Sequence, residues 1–337
     1  MVDDATILSS FFASQQPRLR LHLQRTKRHT LYTQLELRVH GNMGQRSSIV
    51  LGYQQTFFLP KPAFTEKELG DQTGKVVIIT GGYAGIGLEL SSMLYGANAT
   101  LYIAGRSKEK YTQAAKQLSD KYPNATGHLH FLQLDLADLS TIKSSIQEFT
   151  KKEQRLDVLV NNAGVMWPPA GSKSAQGYDL QIATNVYGPF LFTLLLHPLL
   201  AKTAQASPEG SVRVTWAASV GVELAAPPQA LLFQSSSTGD SEIVKEGLDA
   251  NQTYGQSKAA NVMLGVECAR RWGSDSIVSV SWNPGNLYSE LTRHASWVVR
   301  QALKPILYPT VFGAYTELFA GKTSFANFDT RPAAFDF

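Results

Sequence analysis

The stretch that most constrains this chain is Val76-Val77-Ile78-Ile79-Thr80 together with the turn after it, Gly81-Gly82-Tyr83-Ala84-Gly85-Ile86-Gly87. An unbroken β-branched run bounded by glycines reads as a buried strand. Leu88 to Tyr95 then carries apolar residues at helical spacing and no proline. Glycines between a strand and a helix let backbone approach a pyrophosphate, whose charge meets the N–H groups and positive end of the helix. The spacing is Thr-Gly-x-x-x-Gly-x-Gly, not the commoner Gly-x-Gly-x-x-Gly. Taken alone, the turn leaves a purely structural tight bend open as the alternative.

The same alternation continues down the chain. Strands are expected at Ala99–Ala104, Phe131–Leu134, Leu156–Val160, Ser211–Ala217 and Ile277–Trp282. Helices are expected at Lys110–Leu118, Ser140–Lys152, about Tyr178–Leu200 and Tyr254–Arg271. Strands separated by helices of this length imply βαβ units, hence an α/β fold with a doubly wound parallel sheet covered on both faces. Such sheets bind ligands at the carboxyl ends of their strands. Beyond Lys322 a last strand is expected, but Phe325 to Phe328 is its only candidate.

Composition narrows the function. With 43% hydrophobic and 17% charged residues the chain reads as an ordinary globular protein. One cysteine, Cys268, rules out an internal disulfide framework and a cysteine-rich metal site, and points to a reducing compartment. Residues 1–42 hold six basic against three acidic residues, and the remainder 25 against 24. A nearly neutral body has no electrostatic footprint for nucleic acid. No apolar run reaches the roughly 18 residues of a membrane span; Phe190 to Ala201 is shorter and interrupted by His197-Pro198. Residues 1–60 lack a sustained period and are expected to be a poorly ordered extension to a single domain over 61–337. An Arg-rich transit peptide, or a myristoylated start at Met43-Gly44, competes with an unstructured leader. A cytoplasmic location is the expectation, with mitochondrial targeting or membrane association as alternatives.

Tyr254 and Lys258 are four residues apart, so on a helix they share one face. A tyrosine with pKa near ~10 exchanges its proton poorly at neutral pH. An ammonium one turn away favours the phenolate and is expected to lower that barrier. An exposed lysine beside a buried tyrosine is the plain structural alternative.

At this point the chain resembles the short-chain dehydrogenase/reductase family over roughly residues 74–320. The matching pieces come in family order: Thr80-Gly81-x-x-x-Gly85-Ile86-Gly87, Asp135-Leu136, Asn161-Asn162-Ala163-Gly164, Asn185, Ser219, Tyr254-x-x-x-Lys258 and Pro284-Gly285. The wording around them looks closest to retinol-dehydrogenase-like fungal reductases. The resemblance implies a Rossmann fold and a catalytic set of Asn185, Ser219, Tyr254 and Lys258. It implies cofactor contacts from Gly81, Gly85, Ile86, Gly87, Asp135, Asn162, Tyr254, Lys258, Leu287 and Ser289. Asp135 would bind the adenine amino group or, alternatively, cap the next helix. Ser219 would polarise a carbonyl, and Asn185 would hold a water linking Lys258 to solvent. The helices of Asn185 and Tyr254 resemble those that pair in family homodimers.

At the end of the second strand, Gly105-Arg106-Ser107 contains no acid. An acid there would bind a ribose 2′-hydroxyl and repel a 2′-phosphate, whereas Arg106 can fork onto one. NADP(H) is therefore the expected cofactor, against the alternative of a solvated loop arginine. Trp167-Pro168-Pro169, the apolar start of the loop Gly221–Thr253, and Trp297-Val298-Val299 point to a lipophilic carbonyl or alcohol as substrate. The functional expectation is an NADP(H)-dependent oxidoreductase, with a role in secondary metabolism open to it. A non-catalytic NADP(H)-binding regulator is the rival. His128 and His130 are expected to pack, not to bind metal.

Overall fold

The structure is a computed structural model that describes residues 61–62, 64–236, 242–287 and 307–322. The extension over 1–60, Ser289, Trp297-Val298-Val299 and Phe325–Phe328 lie outside the described residues.

The described residues fall into two units. The smaller holds a hairpin of β6 (Phe233–Ser235) and β7 (Glu242–Val244), paired antiparallel. The larger is built on β1 (Val76–Thr80), β2 (Thr100–Gly105), β3 (Leu129–Gln133), β4 (Val158–Asn161), β5 (Val212–Ala217) and β8 (Ile277–Trp282). These six form one parallel sheet in the order β3-β2-β1-β4-β5-β8. The order reverses between β1 and β4, which opens a crevice at the carboxyl ends of those two strands. Every residue of β1 and β5 is buried, as a strand covered on both faces requires.

Helices α1 (Gly85–Gly96), α2 (Lys108–Lys121) and α3 (Leu139–Lys152) follow the first three strands. Then come α4 (Leu180–Gln205), α5 (Gly221–Ala225), α6 (Ala250–Trp272) and α7 (Thr310–Lys322). α7 packs on α1, whereas α4 packs on α3, and α6 lies on β5 and β8. Among the described residues, only Leu180–Gln205 is long and apolar enough to cross a membrane, but 67% of its most apolar window is buried in the fold, as in a core helix.

Element ends differ from the sequence expectation where pairing partners decide them. β3 begins at Leu129 and not Phe131, because β2 pairs Leu101 with Leu129 and Tyr102 with His130. His130 there stacks on Tyr102 with ring centroids 4.8 Å apart. α6 starts at Ala250, four residues early, because the Asp249 side chain accepts from the N–H groups of Asn251 and Gln252. The expected loop Gly221–Thr253 contains α5 and the hairpin.

Asp157 ties the amino ends of the central strands together. Its carboxylate, 1% exposed, accepts from Lys75 Nζ at 2.9 Å, from Arg155 at 2.6 and 2.8 Å, and from the Val76 N–H at 3.0 Å. Burial pushes this carboxyl up, but the bonds from Arg155, Val76 and Lys75 together hold it below the usual aspartate value. A depressed acid stabilises the fold above its unfolded pKa and loses that contribution as pH falls. Asp157→Ala, which strands the buried Val76 N–H while Lys75 and Arg155 stay within reach of solvent, is therefore expected to cost about 1–3 kcal/mol at pH 7. In urea titrations the gap to the parent protein should narrow as pH drops below about 4.

Candidate active site

The turn after β1 is held from both sides. Thr80 Oγ1 donates to the Val160 carbonyl at 3.2 Å and accepts from the N–H groups of Asn162 and Ala163 at 3.0 and 2.9 Å. Asn162 Nδ2 returns a bond to the Thr80 carbonyl at 2.9 Å, and Gly81 N–H reaches Ala104 on β2 at 2.7 Å. Gly81 has φ +69°, which glycine adopts without strain. A Cβ on Gly87 would lie 2.6 Å from Asn162 Nδ2, so only glycine lets α1 come this close to the end of β4.

Ser107, Asp138, Asp179 and Asp249 each cap the helix they precede through a side-chain oxygen. The start of α1, after Ala84, has no side-chain cap and no acid in its first turn. Its leading N–H groups and the helix dipole are left for an anion. Arg106, at the end of the neighbouring β2, is exposed and makes no hydrogen bond or ion pair among the described residues. Asp135 uses one carboxylate oxygen on the Ala137 N–H at 2.9 Å. Helix capping there falls to Asp138, so the capping alternative for Asp135 does not hold. Leu287, Pro284 and Ile86 converge on Gly313 of α7, where an added Cβ would run into Leu287 Cδ1. The end of β8 thus meets the start of α1.

On the other side of the crevice, Ser219 lies two residues past β5 and Tyr254 in the second turn of α6. Ser219 Oγ and the Tyr254 ring flank the same Gly221, and the Gly221 N–H donates to Ser219 Oγ at 3.1 Å. A Cβ on Gly221 would sit 3.0 Å from Tyr254 Cε1, so α5 packs directly against the ring. Lys258, 4% exposed, donates from Nζ to the Ala217 carbonyl at 2.9 Å. Asn261 Nδ2 donates to the same carbonyl, also at 2.9 Å.

Asn185 sits in a π-helical turn, Ala183–Tyr187, inside α4. Pro189 has no N–H to return to the Asn185 carbonyl, so the regular ladder has to break here. The Asn185 side chain, fully buried, donates to the Val165 carbonyl and to Ser257 Oγ, both at 3.0 Å, and accepts from the Val165 N–H at 2.8 Å. An added Cβ on Gly164 would lie 3.2 Å from Asn185 Oδ1 and 3.4 Å from Lys258 Nζ, so both groups flank this glycine.

The structure thus brings Asn185, Ser219, Tyr254 and Lys258 together past the ends of β4 and β5, and Gly81, Gly85, Ile86, Gly87, Asn162 and Leu287 around the start of α1. Arg106 and Asp135 stand at the ends of β2 and β3, further along the same edge. Ser257, Asn261 and Gln181 were not singled out from sequence. Asn261 had a usable signal, since it lies three residues past Lys258 and so on the same helical face.

The expected acidification of Tyr254 by Lys258 is not seen in this geometry. Burial pushes the phenol up to about 12, and the neighbouring Ser219 hydroxyl pulls the other way without overcoming it. The Lys258 ammonium is 5.8 Å from the Tyr254 ring centroid and bonded elsewhere. Burial pushes Lys258 itself down to about 8.

The sequence model of the short chain dehydrogenase family matches residues 75–214. A short-chain dehydrogenase/reductase of Phomopsis amygdali is 47% identical over 269 residues, 78% of each chain. The short-chain dehydrogenase/reductase pkfC of Emericella nidulans is 45% identical over 262 residues, 77% of this chain and 82% of its own. The NADP active-site complex of RhlG from Pseudomonas aeruginosa matches with a TM-score of 0.56 at 27% identity, covering 75% of this chain and 91% of that one. The chain belongs to the short-chain dehydrogenase/reductase family and is an oxidoreductase of that type. A nicotinamide cofactor is the group this family implies, and the uncapped α1 start beside Gly81 and Gly87 fits its pyrophosphate.

Lys258 yields a stability prediction. Its pKa in the fold, about 8, lies below the ~10.4 of an exposed lysine. The charged form therefore opposes folding at pH 7, and this cost fades as pH rises from 8 towards 10. Lys258→Met is expected to melt a few degrees higher than the parent at pH 7, with the gain shrinking by pH 10 in thermal-shift scans. A lower melting point at pH 7 would mean that the bond to Ala217 outweighs the burial of charge.

Proposed function

We propose that this protein is an NADP(H)-dependent reductase that interconverts a carbonyl and an alcohol on a lipophilic small molecule. The observation that carries the reading is the clustering of Ser219, Tyr254, Lys258 and Asn185 around Gly164 and Gly221, with Tyr254, Lys258 and Asn185 buried. The bound nicotinamide supplies a hydride to the carbonyl carbon, or accepts it in reverse. Ser219 Oγ hydrogen-bonds the carbonyl oxygen and polarises it. Tyr254, fully protonated because burial holds its pKa near 12, gives its phenolic proton to that oxygen as the C–H bond forms. Lys258 holds positive charge close to the resulting phenolate. Asn185 fixes Val165 and Ser257, and through them the distance between the β4 end and α6.

The N–H groups of Gly85, Ile86 and Gly87 take the pyrophosphate in this reading, Asn162 supports the adenine-side ribose, and Asp135 takes the adenine amino group with its remaining oxygen. Arg106 would pair with the 2′-phosphate, and Leu287 would border the nicotinamide. The names pkfC and RhlG/NADP belong to relatives; a role in secondary metabolism, by analogy with fungal enzymes of the first kind, is part of the proposal, as is a cytoplasmic location, for which the single cysteine speaks. So is a homodimer through α4 and α6, which leave Leu195 and Val266 39% and 61% exposed.

Following NADPH absorbance across a panel of lipophilic ketones and aldehydes tests the reaction. Tyr254→Phe should lower kcat by about 10²- to 10⁴-fold and leave NADPH affinity within about twofold. NADPH binding without turnover on any substrate would replace the enzyme reading with that of a cofactor-binding regulator. Arg106→Ala should weaken NADPH by about 10- to 100-fold and NADH little; equal loss would sink the 2′-phosphate assignment. The reductive rate should fall as pH passes about 8, where Lys258 loses its proton.

A further inference from the structure

Trp167 is the largest of the four non-glycine residues with positive φ among those described, at +52°. It also precedes Pro168, and the residue before a proline prefers extended backbone. Two hydrogen bonds hold it in this disfavoured state. Its N–H donates to Gln181 Oε1 at 3.2 Å, and its indole Nε1 donates to Asn251 Oδ1 at 2.9 Å. Gln181, 2% exposed, is itself pinned through Nε2 to the Ala250 carbonyl at 3.2 Å. Two residues upstream, Asn185 clamps both backbone groups of Val165. The loop after β4 is thereby locked to the first turn of α6.

Asn251 lies three residues before Tyr254, so the two share a helical face about 4.5 Å apart along the axis. Side chains on a helix lean towards its N-terminus, which tilts the Tyr254 ring towards the Asn251 turn. The indole is thereby tied to the turn of α6 that precedes Tyr254. Gly221 packs against the Tyr254 ring. The indole is half-buried, its one polar atom already bonded, so what it offers the cleft is a flat π surface.

We propose that Trp167, held by Asn251, is a specificity-determining wall of the substrate cleft that selects carbonyl compounds carrying an aromatic or extended conjugated system. The proposal rests on the reductase reading above for the position of the reacting carbonyl. Strain retained in a bulky residue at the mouth of a site accords with a binding role, since packing alone would be served by an unstrained backbone.

The test pairs two ketones of equal carbon count, 2-acetonaphthone and 2-dodecanone. Trp167→Ala should lose about tenfold in kcat/KM on the naphthyl ketone, mainly through KM, and less than about threefold on the aliphatic one. Trp167→Phe should recover most of the loss. Asn251→Leu, which keeps the indole but removes its acceptor, should fall between. Equal losses on both ketones, or none, would overturn the proposal. A binding arm separates this from the reductase reading. With NADPH present, 2-acetonaphthone should quench the tryptophan fluorescence of the parent protein saturably, and that quench should vanish in Trp167→Phe. If turnover fails but this quench holds, the wall stands and the reductase reading falls; if the quench is absent or survives the substitution, the wall falls.

Discussion

Thr80 carries the junction on which both halves of the site depend. One hydroxyl accepts two backbone N–H groups from the end of β4 and donates to a third group, the Val160 carbonyl. The β1–β4 ladder runs from Val77 to Ile79 against Val158 to Val160, and Thr80 extends the tie past its end, where the strand order reverses. Asn162 closes the arrangement from the opposite side by bonding the Thr80 carbonyl. The same asparagine then limits the approach of α1, because Gly87 fits against its amide only without a Cβ. A single hydroxyl and a single amide thus set where the anion-binding helix end stands relative to the strand that leads to Val165 and Trp167.

The second half of the site is governed by dryness. Tyr254 and Lys258 are both buried, and burial drives both towards their neutral forms, the phenol upward and the ammonium downward. The pocket keeps polar groups in place by bonding them to backbone. Ala217, the last residue of β5, offers its carbonyl to Lys258 and Asn261 together. Asn185 spends its whole amide on Val165 and Ser257. Such groups cannot relax into solvent, so their geometry is fixed before any ligand arrives, the condition for electrostatic stabilisation of a developing charge.

Much of this was legible in the order of residues. The β-branched run Val76–Thr80 and the glycines after it define a strand, a turn and a helix by local chemistry, since few alternatives suit five β-branched residues in succession. The Tyr254 and Lys258 pair was legible because helical periodicity is local. The start of α6 was less so: its boundary rests on the Asp249 cap, which a reading based on apolar spacing passes over. The break in α4 at Ala183–Tyr187 had a local cause in Pro189, yet what the resulting turn does with Asn185 depends on Val165 and Ser257, which lie far away in sequence.

The sequence by itself determined the alternation of strands and helices, the parallel sheet that follows from it, and which residue types stand at the strand ends. Those are consequences of periodicity, turn chemistry and short-range sterics. Only the tertiary structure decided that Asp157 gathers Lys75, Arg155 and the Val76 N–H, and that Trp167 is held in a left-handed conformation by Asn251. It also decided that Lys258 bonds the Ala217 carbonyl, while Ser219 and the Tyr254 ring flank Gly221. Each of these turns on distances between segments tens of residues apart, and on how much water their packing removes, neither of which is written in any local stretch of the chain.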